Sequence, residues 1–126
     1  MQDYMVKDKP HNDAIPLHLT HTLQKMHTWM RRRDIQVHQS GLAVLDLTRR
    51  LIFPIDLVAE MNQEIVFILL YYSEKRGGAA SRDMQDYADE VADTCRRHYR
   101  INPVMGIINV YGNGSIVGAL CTYDAD

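Results

Sequence analysis

The sequence predicts a single α+β domain in which two helices pack on a mainly antiparallel sheet of about five strands. Three observations lead to this prediction. A continuous apolar run spans residues 64–73, two stretches repeat apolar residues at helical spacing, and an Asn-Gly pair separates two apolar runs near the C-terminus. Taken in chain order, these elements give the arrangement α-β-β-β-α-β-β.

The apolar run Glu64–Ser73 reads EIVFILLYYS and predicts the central strand. Residues of both parities are apolar and many are β-branched or aromatic, so both faces of this strand need burial. The run is too short to cross a membrane as a helix, which takes about 20 apolar residues. We therefore expect a strand that is buried on both sides.

A first helix is predicted to begin at Asn12 or Asp13, either of which can cap its free N–H groups, and to end at the arginines 31–33. These arginines suit the C-terminal end of a helix, where the helix dipole favours positive charge. The residues of its apolar stripe recur at helical spacing: Leu19, Leu23, Met26 and Met30. Residues 1–11 are expected to form a flexible N-terminal arm, and residues 12–126 the single α+β domain.

Three strands are expected to follow as an antiparallel meander. Residues 35–47 alternate and continue extended through Ser40-Gly41, and residues 51–58 form a second strand before the central one. Pro54 in the second strand has no N–H to donate to a neighbouring strand. We therefore expect the second strand to lie at an edge of the sheet or to contain a bulge.

The second helix is predicted to start at Ser81 and to end before Pro103. Acidic residues in its early turns and basic residues in its last turns suit the helix dipole. Strands 104–111 and 115–123 then form a hairpin across Gly112-Asn113-Gly114. The buried face of the helix is defined by apolar residues at i, i+3 and i+4 spacing: Met84, Tyr87, Ala88, Val91, Cys95 and Tyr99.

The placement of the helices decides how much of the sheet remains open. If both helices pack on one face, the other face of the central strand stays apolar and exposed, and monomers rarely expose apolar patches beyond a few hundred Å². A homodimer that covers this face or uses the last hairpin is then expected. The alternative is that one helix packs on each face.

Composition and charge favour an ordinary globular protein. The net charge of −2 gives no overall positive field that would attract nucleic acid or a membrane surface. Residues 1–10 lack the apolar core of a signal peptide, and Cys95 and Cys121 are interpreted as free thiols. A cytoplasmic location without membrane association is therefore expected.

Histidines are the first candidates for chemistry, because His11, His18, His21 and His27 fall in or beside the first helix. His18 and His21 share a helical face and could supply two metal ligands. A transition-metal site needs a third or fourth ligand, and Asp13 is the only nearby carboxylate. We interpret these histidines as solvated surface residues and expect no metal.

Asp46 and Asp56 are the second candidates, because each interrupts an apolar strand. The order helix, three-stranded meander, helix resembles the core of one large nuclease class, as does the sequence Pro54-Ile55-Asp56. That class adds Glu-x-Lys on the next strand, so that the acids hold Mg²⁺ beside a lysine. Here Glu74 is followed directly by Lys75, without the spacer residue. We interpret Asp46 and Asp56 as residues near turns or facing solvent at an edge.

The third candidate is the glycine-containing loop between the central strand and the second helix. Free N–H groups at the start of a helix, small residues and positive charges can together bind an anion. The residues that would form such a site are Lys75, Arg76, Gly77, Gly78 and Ser81.

In its placement this loop is similar to the pyrophosphate loop of the acyl-CoA N-acyltransferases. The Gln/Arg-x-x-Gly-x-Gly/Ala pattern of that family is not matched, because Ala79 stands where the first glycine should follow Arg76. Asp83, Asp86 and Asp89 in the following helix would repel a polyanion. We therefore interpret the loop as a connector.

No Ser/His/Asp or Cys/His arrangement is evident, and neither catalysis nor a cofactor is expected. The sequence favours a small non-catalytic protein-binding protein, a homodimer with an accessory, inhibitor, immunity or chaperone-like role. The alternative is a small enzyme or ligand binder that uses the glycine-containing loop for a phosphorylated or CoA-like molecule. Nucleic-acid binding is not expected, since it would require the arginines 31–33 to converge with Arg49 and Arg50.

Overall fold

The computed structural model describes residues 3–10, 20–73, 79–112 and 115–121, with side chains of the two helices described from Gln24 and Arg82 onward. In this part of the chain, an open six-stranded mixed sheet lies between two helices. The α+β class and the mostly antiparallel pairing agree with the prediction. The sheet has one strand more than the five that the sequence indicates.

The strands are β1 (Met5–Val6), β2 (Gln36–Asp46), β3 (Leu51–Met61), β4 (Glu64–Ser73), β5 (Val104–Tyr111) and β6 (Ile116–Cys121). The helices are α1 (Thr20–Arg32) and α2 (Ala79–Thr94), and α2 continues into a π-helical turn at Cys95–Tyr99. This turn ends at Arg100, whose backbone is left-handed with φ of 54° and whose N–H bonds the Cys95 carbonyl. The short strand β1 was not predicted, because its two residues have no periodic pattern.

Strands β2, β3 and β4 form the predicted antiparallel meander, and β5 and β6 form the predicted antiparallel hairpin. The helix α2 connects β4 to β5, which lie side by side and parallel. Because β2 pairs along one side of β3, both β1 and β4 must share its other side. The order across the sheet is therefore β2, β3, then β1 and β4 end to end, then β5 and β6.

The expectation that the second meander strand lies at an edge or contains a bulge needs correction, because β3 has neighbours on both sides and the bulge lies in β2, between Val37 and Gln39. Its pairing with β1 covers Leu51 and Ile52, and its pairing with β4 starts only at Leu57. Pro54 lies between these two stretches, where β3 pairs with β2 alone. The proline therefore occupies a local edge inside the sheet, which is where its missing N–H is tolerated.

One helix packs on each face of the sheet, so the arrangement with both helices on one face is wrong. On the α1 side, Met26 and Met30 contact a core that includes Val66, Ile68 and Ile108. The core on the α2 side contains strand residues that point away from α1, namely Phe53, Phe67, Leu69 and Met105. They pack against the apolar face of the helix, formed by Met84, Tyr87, Ala88, Val91 and Cys95. The expected homodimer therefore no longer follows from a wholly uncovered sheet face.

The strand β4 is buried on both faces, as the sequence predicts. Residues 66–69 are at most 3% exposed, and they alternate between the two cores. No helix in the described part of the chain is both long enough and apolar enough to cross a membrane.

Candidate functional site

The loop considered as an anion site falls almost wholly outside the part of the chain that the structure describes. Lys75, Arg76, Gly77 and Gly78 lie outside the described residues. Ser81 falls within the first turn of α2, but its side chain is not among those described. The interpretation of the loop as a connector, and the alternative of an anion site, therefore both remain predictions from the sequence.

The histidines that were considered as metal ligands are only partly described. His11, His18 and the side chain of His21 lie outside the described residues, and His27 is exposed on α1. His38 pairs across the β2–β3 hairpin, with its Nε2 atom 3.3 Å from Glu60 Oε2. Within the ranges that the structure covers, no group of three His, Cys, Asp or Glu side chains is arranged to hold a metal ion.

Asp46 lies at the end of β2, next to the turn to β3, which is one of the two positions expected for it; it is fully buried and does not face solvent. Its Oδ1 atom accepts the backbone N–H groups of Thr48 and Arg49 at 3.1 and 3.0 Å and thereby closes the turn to β3. Its Oδ2 atom accepts from Arg49 Nε at 2.8 Å and Arg97 Nη2 at 3.2 Å. The Nε2 atom of His98 lies 3.2 Å from Oδ1.

These contacts determine the protonation state of Asp46. Burial alone would raise its pKa, but the hydrogen bonds from the Arg49 backbone and guanidinium and from His98 outweigh burial and hold the pKa well below its usual value. The carboxylate is therefore charged and fully engaged with its neighbours. It ties the β2–β3 turn to the end of α2, which is a structural role.

Asp56 lies where β3 leaves β1 and meets β4, and it pairs with Lys9. The Lys9 Nζ atom lies 2.6 Å from Asp56 Oδ2, and it also donates to the Leu70 carbonyl. The same Asp56 oxygen accepts the Leu70 N–H at 2.7 Å. Lys9 is 8% exposed, so this ion pair is shielded from water on the lysine side.

The position of Leu70 explains why this pair forms. Pairing between β3 and β4 ends at Leu57 and Ile68, so the N–H and C=O of Leu70 lie beyond the reach of the β3 backbone. Asp56 and Lys9 supply the acceptor and the donor that a strand neighbour would have supplied. The carboxylate of the Pro54-Ile55-Asp56 sequence is thus occupied by an ammonium group.

Two further buried groups are poor candidates for a nucleophile. Burial raises the pKa of the Cys95 thiol to about 11, so at neutral pH it is not a thiolate. Burial and the nearby negative charges of Asp56 and Glu90 raise the pKa of Tyr87, whose hydroxyl donates to the Pro54 carbonyl at 2.8 Å. Cys95 and Cys121 are both free, as the sequence analysis expects.

A surface cleft lies between α1 and the start of β6 and has a volume of about 770 Å³. We call it the α1 cleft. It is lined by Gln24, Lys25, Thr28, Trp29, Arg32, Arg33, Ser115 and Ile116. At its base, Trp29 packs so closely on Gly118 that a Cβ atom there would lie 2.2 Å from the ring atom Cε2. The same Cβ atom would lie 2.5 Å from both Cζ2 and Nε1, the ring atoms on either side of Cε2. An atom in the ring plane could not be closest to Cε2 and equally far from these two at such distances, so Gly118 lies against the ring face.

Arg33 also lies over the Trp29 ring, and it must cover the other face, because its guanidinium would overlap the Gly118 backbone if both were on the same side. The Arg33 guanidinium carbon lies 4.1 Å from the ring centroid, and its Nη1 atom donates to the Trp29 carbonyl at 3.2 Å. Both contacts restrict the arginine to one position at the mouth of the cleft. The indole is therefore held between a backbone and a cation.

The arginines of α1 do not meet those of the β2–β3 turn. Arg33 precedes the start of β2 and Arg49 follows its end, and the eleven residues of that strand span roughly 33 Å. The convergence that nucleic-acid binding would have required is absent between these described residues.

A second surface feature is the outer edge of β2. Its first eight residues, 36–43, are all exposed, and they include no Lys, Arg, Asp, Glu or Pro. Among the described residues, β2 and β6 form the two outer strands of the sheet. A groove of about 390 Å³ opens beside the start of β2 and is lined mainly by Met30, Ile35, Val37 and Leu57.

Sequence reasoning missed both the α1 cleft and the Lys9–Asp56 pair. It explained the arginines of α1 by the helix dipole alone, although the same residues form one wall of the cleft. The one available signal was the run of cations after a tryptophan. Nothing in the sequence indicates that Gly118 is the residue on which that tryptophan packs.

No protein-family model matches the chain, and no curated protein matches it. Among solved structures, the crystal structure of SSO0001 is similar to this chain with a TM-score of 0.49 and 8% sequence identity. The match covers 87% of this chain and 52% of SSO0001, so this chain spans about half the length of that protein. Similarity at this level supports no inference about fold or function.

Proposed function

We propose that this chain is a non-catalytic protein-binding protein and that it forms a homodimer by pairing the β2 edges of two copies. Accessory, inhibitor, immunity or chaperone-like roles would all act through such protein contacts. The observation that carries the proposal is the exposed and uncharged stretch 36–43 of β2.

An unprotected edge strand favours pairing with another strand. Edge strands expose unpaired N–H and C=O groups, and natural proteins usually protect them with charged residues, proline, bulges or short length. Segment 36–43 has a bulge between Val37 and Gln39 but no charge and no proline. The Gln39 side chain donates to the Gly41 carbonyl at 2.8 Å, a bond that a partner strand could replace.

A second copy of the chain suits this edge because the segment contains no Asp, Glu, Lys or Arg. In a two-fold antiparallel pair, residues near the axis face their own copies, so a charged residue would oppose a like charge. Asp, Glu, Lys and Arg are all absent between Gln36 and Ala43, and the one histidine of the segment, His38, contacts Glu60 of its own copy.

Exposed apolar side chains on the same strand would add buried surface to such a pair. Val37 is 39% exposed and Leu42 is 37% exposed. The groove beside Val37 can receive side chains from a paired strand, as in other cases of strand addition, where backbone bonds and side-chain pockets act together.

The test is the mass of the protein in solution by light scattering at tens of micromolar, together with a charged edge variant. We expect the unmodified chain to have twice the mass of one chain. Leu42→Lys places a charge on the β2 edge and is expected to give a monomer.

The matched control is Val117→Lys, which adds the same charge at an exposed position of the opposite edge strand β6. It is expected to leave the dimer intact. A monomeric unmodified protein would contradict the proposal, as would a dimer that only the β6 variant dissociates.

A further inference from the structure

We infer that the α1 cleft is a binding site for an acidic peptide segment of a partner protein. The inference extends the proposed protein-binding function to a second site and names the chemistry of the partner. It does not require self-association, because the cleft lies against β6 and not against the β2 edge.

The charge of α1 differs sharply from that of the rest of the chain. Between Thr20 and Arg33 there is no Asp or Glu, whereas the same stretch contains Lys25, Arg31, Arg32 and Arg33. The protein as a whole has a net charge of −2, so this cationic surface is local. The helix on the opposite face of the sheet has the reverse balance, with five acidic residues and one basic residue between Arg82 and Thr94.

The arginines of the cleft can accept new anionic partners. Within the described residues, no carboxylate forms an ion pair with Arg32 or Arg33. Both side chains are exposed, and Arg33 is already ordered by Trp29 and by its bond to the Trp29 carbonyl. An ordered arginine loses little conformational freedom when it binds a carboxylate, which favours binding.

The geometry favours carboxylates over the bases of a single-stranded nucleic acid. Proteins bind such strands by stacking bases on open aromatic faces. Trp29 offers no open face, because Gly118 packs on one side and Arg33 covers the other. The cleft therefore presents cations and the polar side chains of Gln24 and Thr28 without a stacking surface.

The experiment uses Trp29 as its reporter, because it is the only tryptophan in the chain. The probe is a synthetic ten-residue peptide of Glu and Asp without aromatic residues, labelled for anisotropy. We expect saturable binding of the peptide and a parallel change in Trp29 fluorescence. A ten-residue thymidine oligonucleotide is expected to bind more weakly.

The decisive variant is Arg32→Gln with Arg33→Gln, which should weaken peptide binding at least about tenfold, because charge-assisted hydrogen bonds are lost. The matched control is Arg50→Gln with Arg82→Gln, which changes the net charge equally at exposed sites outside the cleft. The control should bind as the unmodified chain does. Because all four arginines are exposed, the variants should fold, and thermal melting checks this.

Three outcomes would overturn the inference: no peptide binding, equal weakening in the two double variants, or tighter binding of the oligonucleotide than of the peptide. The monomeric variant Leu42→Lys separates this result from the proposed dimer. It should bind the peptide as the unmodified chain does, and a loss of binding there would contradict an independent site.

Discussion

The indole ring of Trp29 on α1 lies directly against the backbone of Gly118 on β6. A Cβ atom at position 118 would lie 2.2 Å from Trp29 Cε2 and 2.5 Å from its two bonded neighbours Cζ2 and Nε1. Real Cβ atoms do not approach ring atoms so closely, so any side chain at this position must displace the helix or the ring. The contact therefore fixes both the position of α1 on the sheet and the base of the α1 cleft.

The first prediction follows from this contact. Gly118→Ala should lower the free energy of unfolding by about 1–3 kcal/mol, the usual cost of an overpacked site, and should shift Trp29 fluorescence to longer wavelength as the ring becomes solvated. Denaturant unfolding followed by fluorescence and by circular dichroism measures both effects.

The control is the double variant with Trp29→Leu. If the clash with the ring is the cause, Gly118→Ala should cost much less in the Trp29→Leu background, which a double-mutant cycle reports. An equal cost in the two backgrounds would show that the Trp29–Gly118 contact is not responsible.

A second prediction compares two lysines that are two residues apart. Lys9→Met leaves Asp56 and the Leu70 carbonyl without their cation and should cost about 2 kcal/mol of stability, the usual value for a hydrogen bond to a charged group. Lys7→Met removes only a 3.9 Å pair with Glu90 in which both side chains are well exposed, so it should cost less than about 0.5 kcal/mol. Denaturant unfolding of the two variants measures the difference. Equal costs would refute the role assigned to Lys9.

The contrast between these lysines also shows what the sequence could predict. The strand β4 was predicted because its residues are apolar in both parities, and the β5–β6 hairpin was predicted from its Asn-Gly turn. These are local signals. Lys9 and Asp56 are 47 residues apart, and a two-residue strand has no periodicity that a sequence can reveal.

The faces on which the helices pack were also beyond the local signals. Helical periodicity identifies the apolar stripe that contains Met26 and Met30, but it does not say which side of a two-sided sheet that stripe will contact. The parallel β4–α2–β5 connection places α2 on one face, and α1 covers the other. The base of the α1 cleft forms where Trp29 packs on Gly118. This contact could not be predicted from the sequence, because the two residues are 89 positions apart and glycine has no side chain that would indicate a packing partner.

A third prediction concerns pH. The pKa of Asp46 is lower in the folded protein than its value of 3.8 in the unfolded chain. Its stabilising contribution is therefore complete above that unfolded value and is lost as pH falls below it towards the folded pKa. Asp46→Asn should lower the free energy of unfolding by about 3 kcal/mol at pH 7. This is near the lower end of the losses seen when one partner of a buried ion pair is removed, because Arg49 and Arg97 are partly exposed to water.

The measurement is the free energy of unfolding as a function of pH. The unmodified chain should lose stability steeply below about pH 4, and Asp46→Asn should show a shallower loss. Asp93→Asn is the matched control, since Asp93 also bonds Arg97 but is 51% exposed, and it should cost less than about 1 kcal/mol. An unchanged pH dependence in Asp46→Asn would contradict the assignment.

A fourth prediction tests the alternative function at the glycine-containing loop. If the loop is a connector, millimolar CoA or nucleotide should not raise the melting temperature, and Lys75→Ala with Arg76→Ala should behave as the unmodified chain does. A ligand that binds only the folded state would raise it by mass action. If the melting temperature rises by several degrees and the double variant abolishes this rise, the ligand-binding function is favoured over the protein-binding function.

The proposed homodimer depends on strand pairing at the β2 edge, and amide hydrogen exchange measures this pairing residue by residue. We expect exchange in segment 36–43 to slow as protein concentration rises from about 1 µM to several hundred micromolar, because pairing with a second copy protects these N–H groups. Exchange in β6 should not change with concentration. If segment 36–43 exchanges at the same rate across this range, the β2 edge is not the interface and the proposed homodimer is wrong.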